Sequence, residues 1–533
     1  MPIDSKQAKA IVDRKHPLFQ ELVPHWCFME SSYRGGRSWF ESNIFRYIKE
    51  GDREYKDRVD RAYRFNHTRE TVDLVNKYLF RAPINRKTAD APESVQKFWK
   101  KVDSTGLDID EFMRVVSLKQ SIFGRPWIVI DNRVTAEDVP ENASKADVPE
   151  PELYAYLVPP QQVPDYAFDE AGELLWVLIE EHVRDDADPI NGTGDLSCRY
   201  RLWTREEWIL IEFKKNPKKK DGGNWEQTGY GRHDLGLVPV IPANNSIGSD
   251  KWDCPALIAD VAYLDRAVSN YASNLDAIIQ DQAFSQLAMP AQGVLPGDDA
   301  YNKVLEMGTK RVFLYDGEAG NAPVFLSPDP RQATLILSAI GQLINEIYHS
   351  VGLAGERTKQ DNSQGIDNSS GVAKTKDFER VVALLSAKAD ALEVVEYKMM
   401  QIITAWAGEA LPDDMNLVTY PVESQFDVRT MYDELDTAMK LRLMGLPAGV
   451  MEEQVNRLVT KLFPDLADDM IKRLRAEVKE WSTEPTEQEK AAQAAGDGSN
   501  TSKRVVEEAK RDRAGASAKK TDTQSRETGK TNG

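Results

Sequence analysis

Apolar residues recur at three- and four-residue spacing through most of this chain and turn to short β-type runs mainly between Leu153 and Val240, which predicts a mostly helical protein with one β-rich region. The pattern is strongest from Ser327 to Gly408. A helical run covers Asp329 to Val351, a polar segment covers Gly352 to Gly371, and a second helical run continues to Ala407. The second helix, of roughly 37 residues, would be about 55 Å long at 1.5 Å per residue, longer than a small domain is wide. Its length implies surroundings other than one compact core. The intervening segment is rich in Asn, Ser, Asp, Gln and Gly, and a long connection between two strong helices is usually functional or disordered.

From the N-terminus, the spacing predicts helices over Trp39–Gly51 and Thr71–Arg81, the latter stopped by Ala82 and Pro83. Further helices follow at Ser94–Asp103 and, behind an acidic first turn, Asp108–Gly124. Trp127–Asn132 is a β-branched run after Gly124-Arg125-Pro126 and reads as a strand. Residues 134–152 are polar, acidic and proline-containing, so they read as a loop. Short strands are expected at Ala155–Val158, Leu174–Glu181, Tyr200–Trp203, Trp208–Phe213 and Leu237–Asn244, with a solvated basic tip at Lys214–Asn224. Pro255–Met289 repeats apolar residues over about eight turns and predicts one long helix. Its opposite face reads as acidic: over 251–290, Lys251 and Arg266 stand against Asp253, Asp260, Asp265, Asp276 and Asp281. Residues 291–328 mix a short helix with the strands Arg311–Tyr315 and Pro323–Leu326. Short helices are expected from Val422 to Glu480, and the loss of aromatic and large aliphatic residues after Ser482 predicts disorder.

The 533 residues exceed what one core organises. A net charge of −18 argues against a protein that holds nucleic acid through many phosphate contacts, while leaving room for one that touches DNA without gripping it. Cys27, Cys198 and Cys254 are few, odd in number and far apart, so a disulfide framework is not expected and a reducing site of folding is favoured. With no apolar leader and no run of about 18 apolar residues, neither secretion by a signal peptide nor a membrane span is expected.

The sequence carries no recognisable catalytic motif. Ser370–Lys376 lacks the first glycine of a phosphate-binding loop and follows no strand. The six histidines form no HExxH or HxxxH pair, no cysteine cluster completes a zinc site, and no GxSxG elbow occurs. Carboxylate pairs such as Asp108 with Asp110 and Glu180 with Glu181 read as solvated faces in so acidic a chain. No catalytic residue, metal or cofactor is expected.

The order of segments does carry a resemblance. His233–Asn245, reading HDLGLVPVIPANN, runs into the helix holding Leu264–Ile278; Ile344–Leu353 follows, and a polar loop ends in Asn368-Ser369-Ser370-Gly371 before the long helix. In this order, over about 480 residues, the chain resembles the portal proteins of tailed bacteriophages, the head–tail connector family. The resemblance implies an α+β, multi-domain, predominantly helical subunit of portal type. The wing would span 1–253, a first stem helix 254–289, the clip 290–328 and a second stem helix 329–351. A tunnel loop would span 352–371, a long wing helix with its return 372–421, a helical crown 422–481 and a disordered tail 482–533.

It further implies a homo-oligomeric ring, usually a dodecamer, at one capsid vertex of the virion. The ring would assemble in the host cytoplasm and pass double-stranded DNA without sequence readout during packaging and ejection. Its partners would be the terminase large subunit, a head–tail adaptor, and the major capsid and scaffolding proteins. The tunnel-loop residues placed toward DNA are Arg357, Lys359, Gln360, Asn362, Ser363 and Gln364; those placed on the partner-docking clip are Lys303, Glu306, Lys310, Arg311 and Asp316. Twelve copies at −18 would carry a formal −216, which suits a conduit that must not retain its cargo. A phage nucleic-acid-processing enzyme with an α/β domain and a helical interaction scaffold stand as alternatives; the first would need a metal-binding carboxylate cluster, the second a monomer.

Overall fold

The computed structural model describes residues 3–133, 152–215, 223–233, 235–248, 253–283, 286–290, 299, 312–315, 324–326, 330–353, 371–411, 417–422, 452, 455–456 and 473–478. The chain divides into two units, Met1–Phe426 and Asp427–Gly533. In the second unit, 473–478 is helical. The expected tail and nearly all of the expected crown lie outside the described residues.

The first unit begins with seven helices: α1 (Ser5–Asp13), α2 (Pro17–Arg34), α3 (Arg37–Asn43), α4 (Asp52–Arg61), α5 (His67–Leu79), α6 (Glu93–Lys100) and α7 (Ile109–Phe123). Their starts are set by local chemistry. Asp4 and Gln7 form a reciprocal capping box on α1, and the Asp108 carboxylate accepts from the Glu111 amide at 2.8 Å to open α7.

The helix expected over Trp39–Gly51 stops at Asn43. Residues 44–50 instead fold around the buried Arg58, which donates to the Phe45 carbonyl at 2.7 Å and to Glu50 at 2.8 Å. Satisfying a buried guanidinium outweighs continuation of a short helix, a tertiary preference that helical spacing does not encode.

The sheets follow from strand alternation. Strand β2 (Trp127–Asn132) pairs antiparallel with β3 (Leu153–Val158) on one side and with β9 (Val240–Pro242) on the other. Ile128 and Ile130 point into a core shared with α5, α7 and the long helices, while Trp127 and Val129 point into a second core shared with Val177, Ile179 and Trp203. Successive side chains alternate between faces, so a strand apolar at four consecutive positions must be covered on both sides.

That second cover is an antiparallel five-stranded sheet in the order β4 (Asp165–Phe168), β5 (Leu174–Arg184), β6 (Leu196–Thr204), β7 (Glu207–Lys215) and β8 (Gly223–Arg232). Its far face packs Leu178, Tyr200 and Ile211 against Ala8 and Val12 of α1. The layers therefore run α1, five-stranded sheet, three-stranded sheet, helices. Strand β8 carried no sequence signal: its residues are polar and glycine-rich, and it exists because β7 offers it an edge. A two-residue ladder joins β1 (Asn85–Arg86) to a late strand at Val418–Thr419, bringing two distant parts of the unit together.

After β9 the expected helix over Pro255–Met289 is shorter at both ends. Helix α8 is Val261–Ala283. Residues 254–258 run across the end of α7, with the Ile258 amide donating to Ser121 O at 3.3 Å. Gln286–Pro290 is a strand, β10, between β11 (Val312–Tyr315), which it meets in parallel, and the antiparallel β12 (Val324–Leu326). The expected strands at 311–315 and 323–326 are thus present, and they recruit the end of the expected helix into a sheet. The late strand at Val418–Thr419 is β13. Long helices then span Pro330–Ser350 and Gly371–Ala407, the latter 37 residues long. Among the described residues, no helix is long and apolar enough to cross a membrane.

Candidate functional site

Arg357, Lys359, Gln360, Asn362, Ser363 and Gln364 fall within 354–370, and Lys303, Glu306, Lys310, Arg311 and Asp316 within 300–311 and 316–323; all lie outside the described residues. What the structure describes is the frame that holds both ends of 354–370.

The near end is a helix stop. Gly352 adopts φ +74°, the Leu353 amide donates to Tyr348 O at 2.8 Å and the Gly352 amide to His349 O at 3.1 Å. This is a Schellman cap, and the burial of both Leu353 and Tyr348 supplies its usual apolar contact. Gly352 and Leu353 therefore belong to the frame. Gly352 also lies against the long helix: a side chain built on it would meet the Arg380 Cβ at 3.6 Å. Since the long helix starts at Gly371, nine residues before Arg380, it overhangs this contact by about 14 Å.

Buried polar contacts lock the frame to the body. Tyr348 donates its hydroxyl to Glu70 of α5 and meets His67 Nδ1 at 3.1 Å. On α8, Asp265 accepts from the Thr68 hydroxyl at 2.7 Å, from the Thr68 amide at 3.0 Å and from Arg64. The sequence placed Asp265 on an acidic outer face; it is fully buried, and Asp276 of the same face pairs with Arg61. Burial draws the Arg64 guanidinium down despite Asp265. The missed signal was Arg64 itself, whose partner lies 201 residues away in sequence.

Among its described side chains, the long helix carries two buried charged ones, Lys388 and Glu396. Glu396, fully buried, faces Arg86 of β1 at 2.6 Å and accepts from the Tyr420 hydroxyl at 3.2 Å; Arg86 also reaches Asp110 at 2.6 Å. Burial pushes the Glu396 carboxyl up, against the opposing pull of Arg86.

Lys388 is buried without a carboxylate in ion-pairing range among the described residues. Its amine donates to Asn245 Oδ1 at 2.7 Å and to Ser121 Oγ at 2.9 Å. Two acceptors suit a neutral amine, which has two hydrogens to give. Burial lowers its pKa from 10.5 to about 7, with Cys254 opposing.

Between pH 7 and 10.5 the unfolded chain holds this proton and the folded chain does not, so stability attributable to Lys388 rises with pH by about 1.4 kcal/mol per unit. Below pH 7 both states are protonated and the burial penalty is present in full. Lys388→Met, which removes the group, is expected to gain melting temperature relative to the parent protein at pH 6 to 7 and to lose that advantage by pH 9. Parallel melting curves for the two proteins across this range would show that the amine stays charged.

One further cluster was passed over in sequence. Glu180, His182 and Cys198, separated along the chain, share one face of the five-stranded sheet because β5 and β6 pair in the register His182↔Cys198. Only strand pairing reveals it.

A family profile described as "Phage portal protein, SPP1 Gp6-like" matches residues 21–322, more than half of the chain. No curated protein matches it. Solved structures with similarity include chains of three gene transfer agent particles. The neck of an empty particle computed with C6 symmetry matches at 13% identity and TM-score 0.35, covering 71% of this chain and 90% of that one. The virion of a native particle matches at 12% and 0.36, covering 79% and 93%. The neck of a native particle computed with C12 symmetry matches at 12% and 0.34, covering 76% and 89%.

Proposed function

This chain belongs to the SPP1 Gp6-like family of phage portal proteins, and from that premise we propose that it is the subunit of a ring-shaped channel at one capsid vertex, through which DNA is packaged and later ejected. The observation that carries the reading is the family match over 21–322, which extends through the β-rich region and α8. The frame around 354–370 adds a physical rationale: a polar segment is held between two helices whose positions are fixed by buried contacts to α5, α7 and β1. In the ring, 354–370 faces the passing duplex and meets its phosphates without sequence readout. The segment 290–328 docks the packaging motor and then the adaptor. The motor's ATP chemistry belongs to another chain, and the portal subunit itself is not an enzyme.

Twelve copies of 60.1 kDa make a ring of about 721 kDa, which native mass measurement detects directly. A protein that stays monomeric under every condition tried would overturn the reading. The loop has its own test, in which 354–370 is exchanged for a six-residue Gly/Ser linker long enough to span the overhang. Rings are expected to form at normal mass while DNA retention in filled heads falls at least about tenfold; normal retention would remove the role given to the loop.

A further inference from the structure

The α1-bearing face of the five-stranded sheet holds three dissimilar metal-binding side chains that the channel reading does not use. Glu180 and His182, two residues apart on β5, share that face with Cys198, the cross-strand neighbour of His182. Cys198 Sγ lies 3.4 Å from His182 Nδ1, and Glu180 Oε1 lies 3.5 Å from His182 Nε2. One donor atom from each of the three residues can be chosen so that all lie within 4.8 Å of one another. Glu180 is itself held: the Tyr200 hydroxyl donates to its other oxygen at 3.0 Å.

We propose that Glu180, His182 and Cys198 bind a divalent transition-metal ion of zinc's class, with water completing a four-coordinate site. A tetrahedral ion with bonds of about 2.0 Å to nitrogen and 2.3 Å to sulfur separates those two atoms by roughly 3.5 Å, close to the observed spacing. A nitrogen, a thiolate and a single carboxylate oxygen select zinc, cobalt or nickel over magnesium or calcium, which prefer all-oxygen shells. The Tyr200 hydrogen bond acts as the outer contact that fixes a ligating carboxylate. His182 is exposed and the other two ligands are partly so, leaving a path for the ion.

The same three residues invite a second reading, a cysteine–histidine–carboxylate nucleophile. That chemistry needs a thiolate, yet burial and the adjacent Glu180 carboxylate both push the Cys198 thiol up. A divalent cation reverses this conflict: the thiol releases its proton to solvent, the sulfur–metal bond forms, and the carboxylate becomes a co-ligand.

Cobalt(II) titrated into the full-length chain under reducing conditions is the probe. One equivalent per chain is expected to produce thiolate-to-cobalt charge-transfer absorption with the intense visible bands of a four-coordinate ion, and zinc should abolish both. Cys198→Ser should lose the charge-transfer band while Cys27→Ser keeps it. His182→Ala should weaken binding by at least about tenfold, with circular dichroism verifying that each variant is folded. Absence of the charge-transfer band in the parent chain, or its persistence in Cys198→Ser, overturns the site; unchanged affinity in His182→Ala removes the histidine from it.

Discussion

Gly124→Ala is expected to leave almost no folded protein. Gly124 ends α7 at φ +79°, a conformation costing a non-glycine residue about 1–2 kcal/mol. The added methyl would also sit 1.8 Å from the Cys254 carbonyl oxygen and 3.0 Å from the Ala256 amide nitrogen. Both obstacles are backbone, so no side chain can swing aside. Relief requires moving residues 254–256 off the end of α7, which breaks the approach to α8 and disturbs Asn245, whose amide donates to Gly124 O at 2.8 Å. A loss above about 4 kcal/mol, at the extreme end for one substitution, is the expected size. Soluble yield and thermal melting check it. A variant melting within a few degrees of the parent would mean that the turn and the following segment do not approach as described.

Arg86→Met is the second large effect. It leaves the Glu396 carboxylate wholly buried, with Tyr420 as its remaining side-chain donor and no counter-charge, a situation that costs about 3–5 kcal/mol. Adding Glu396→Leu should recover most of that loss, because two apolar side chains replace a desolvated pair at little or no net cost. The diagnostic is the non-additivity: the double variant should melt well above Arg86→Met alone. If the two losses simply add, the pair is not the linkage between β1 and the long helix.

Legibility in the sequence followed the range of the interactions. The 37-residue helix, the strand at Trp127–Asn132 and the capped start of α7 are written in local spacing and in single residues such as Asp108. The loop at 44–50, the strand at Gln286–Pro290 and β8 are decided by partners far away: Arg58, the strands at 312–315 and 324–326, and the edge of β7. The candidate site divides in the same way. A polar segment between two helices was visible, but its anchors were not, since Arg86 meets Glu396 across 310 residues and Lys388 meets Ser121 across 267. The Glu180, His182 and Cys198 cluster is not visible in the sequence because its unity depends on strand register.

The overhang of the long helix sets the reach of what it carries. From Leu353 the chain must climb about 14 Å to rejoin the helix at Gly371, a gap that roughly five extended residues close at 3.3–3.6 Å each. Seventeen are supplied between those two residues. About a dozen are therefore surplus to bridging, so the connection can lose that many residues before it becomes too short to join the two helices. The length of this connection is thus a quantity that insertion or deletion can change while both helices stay in place.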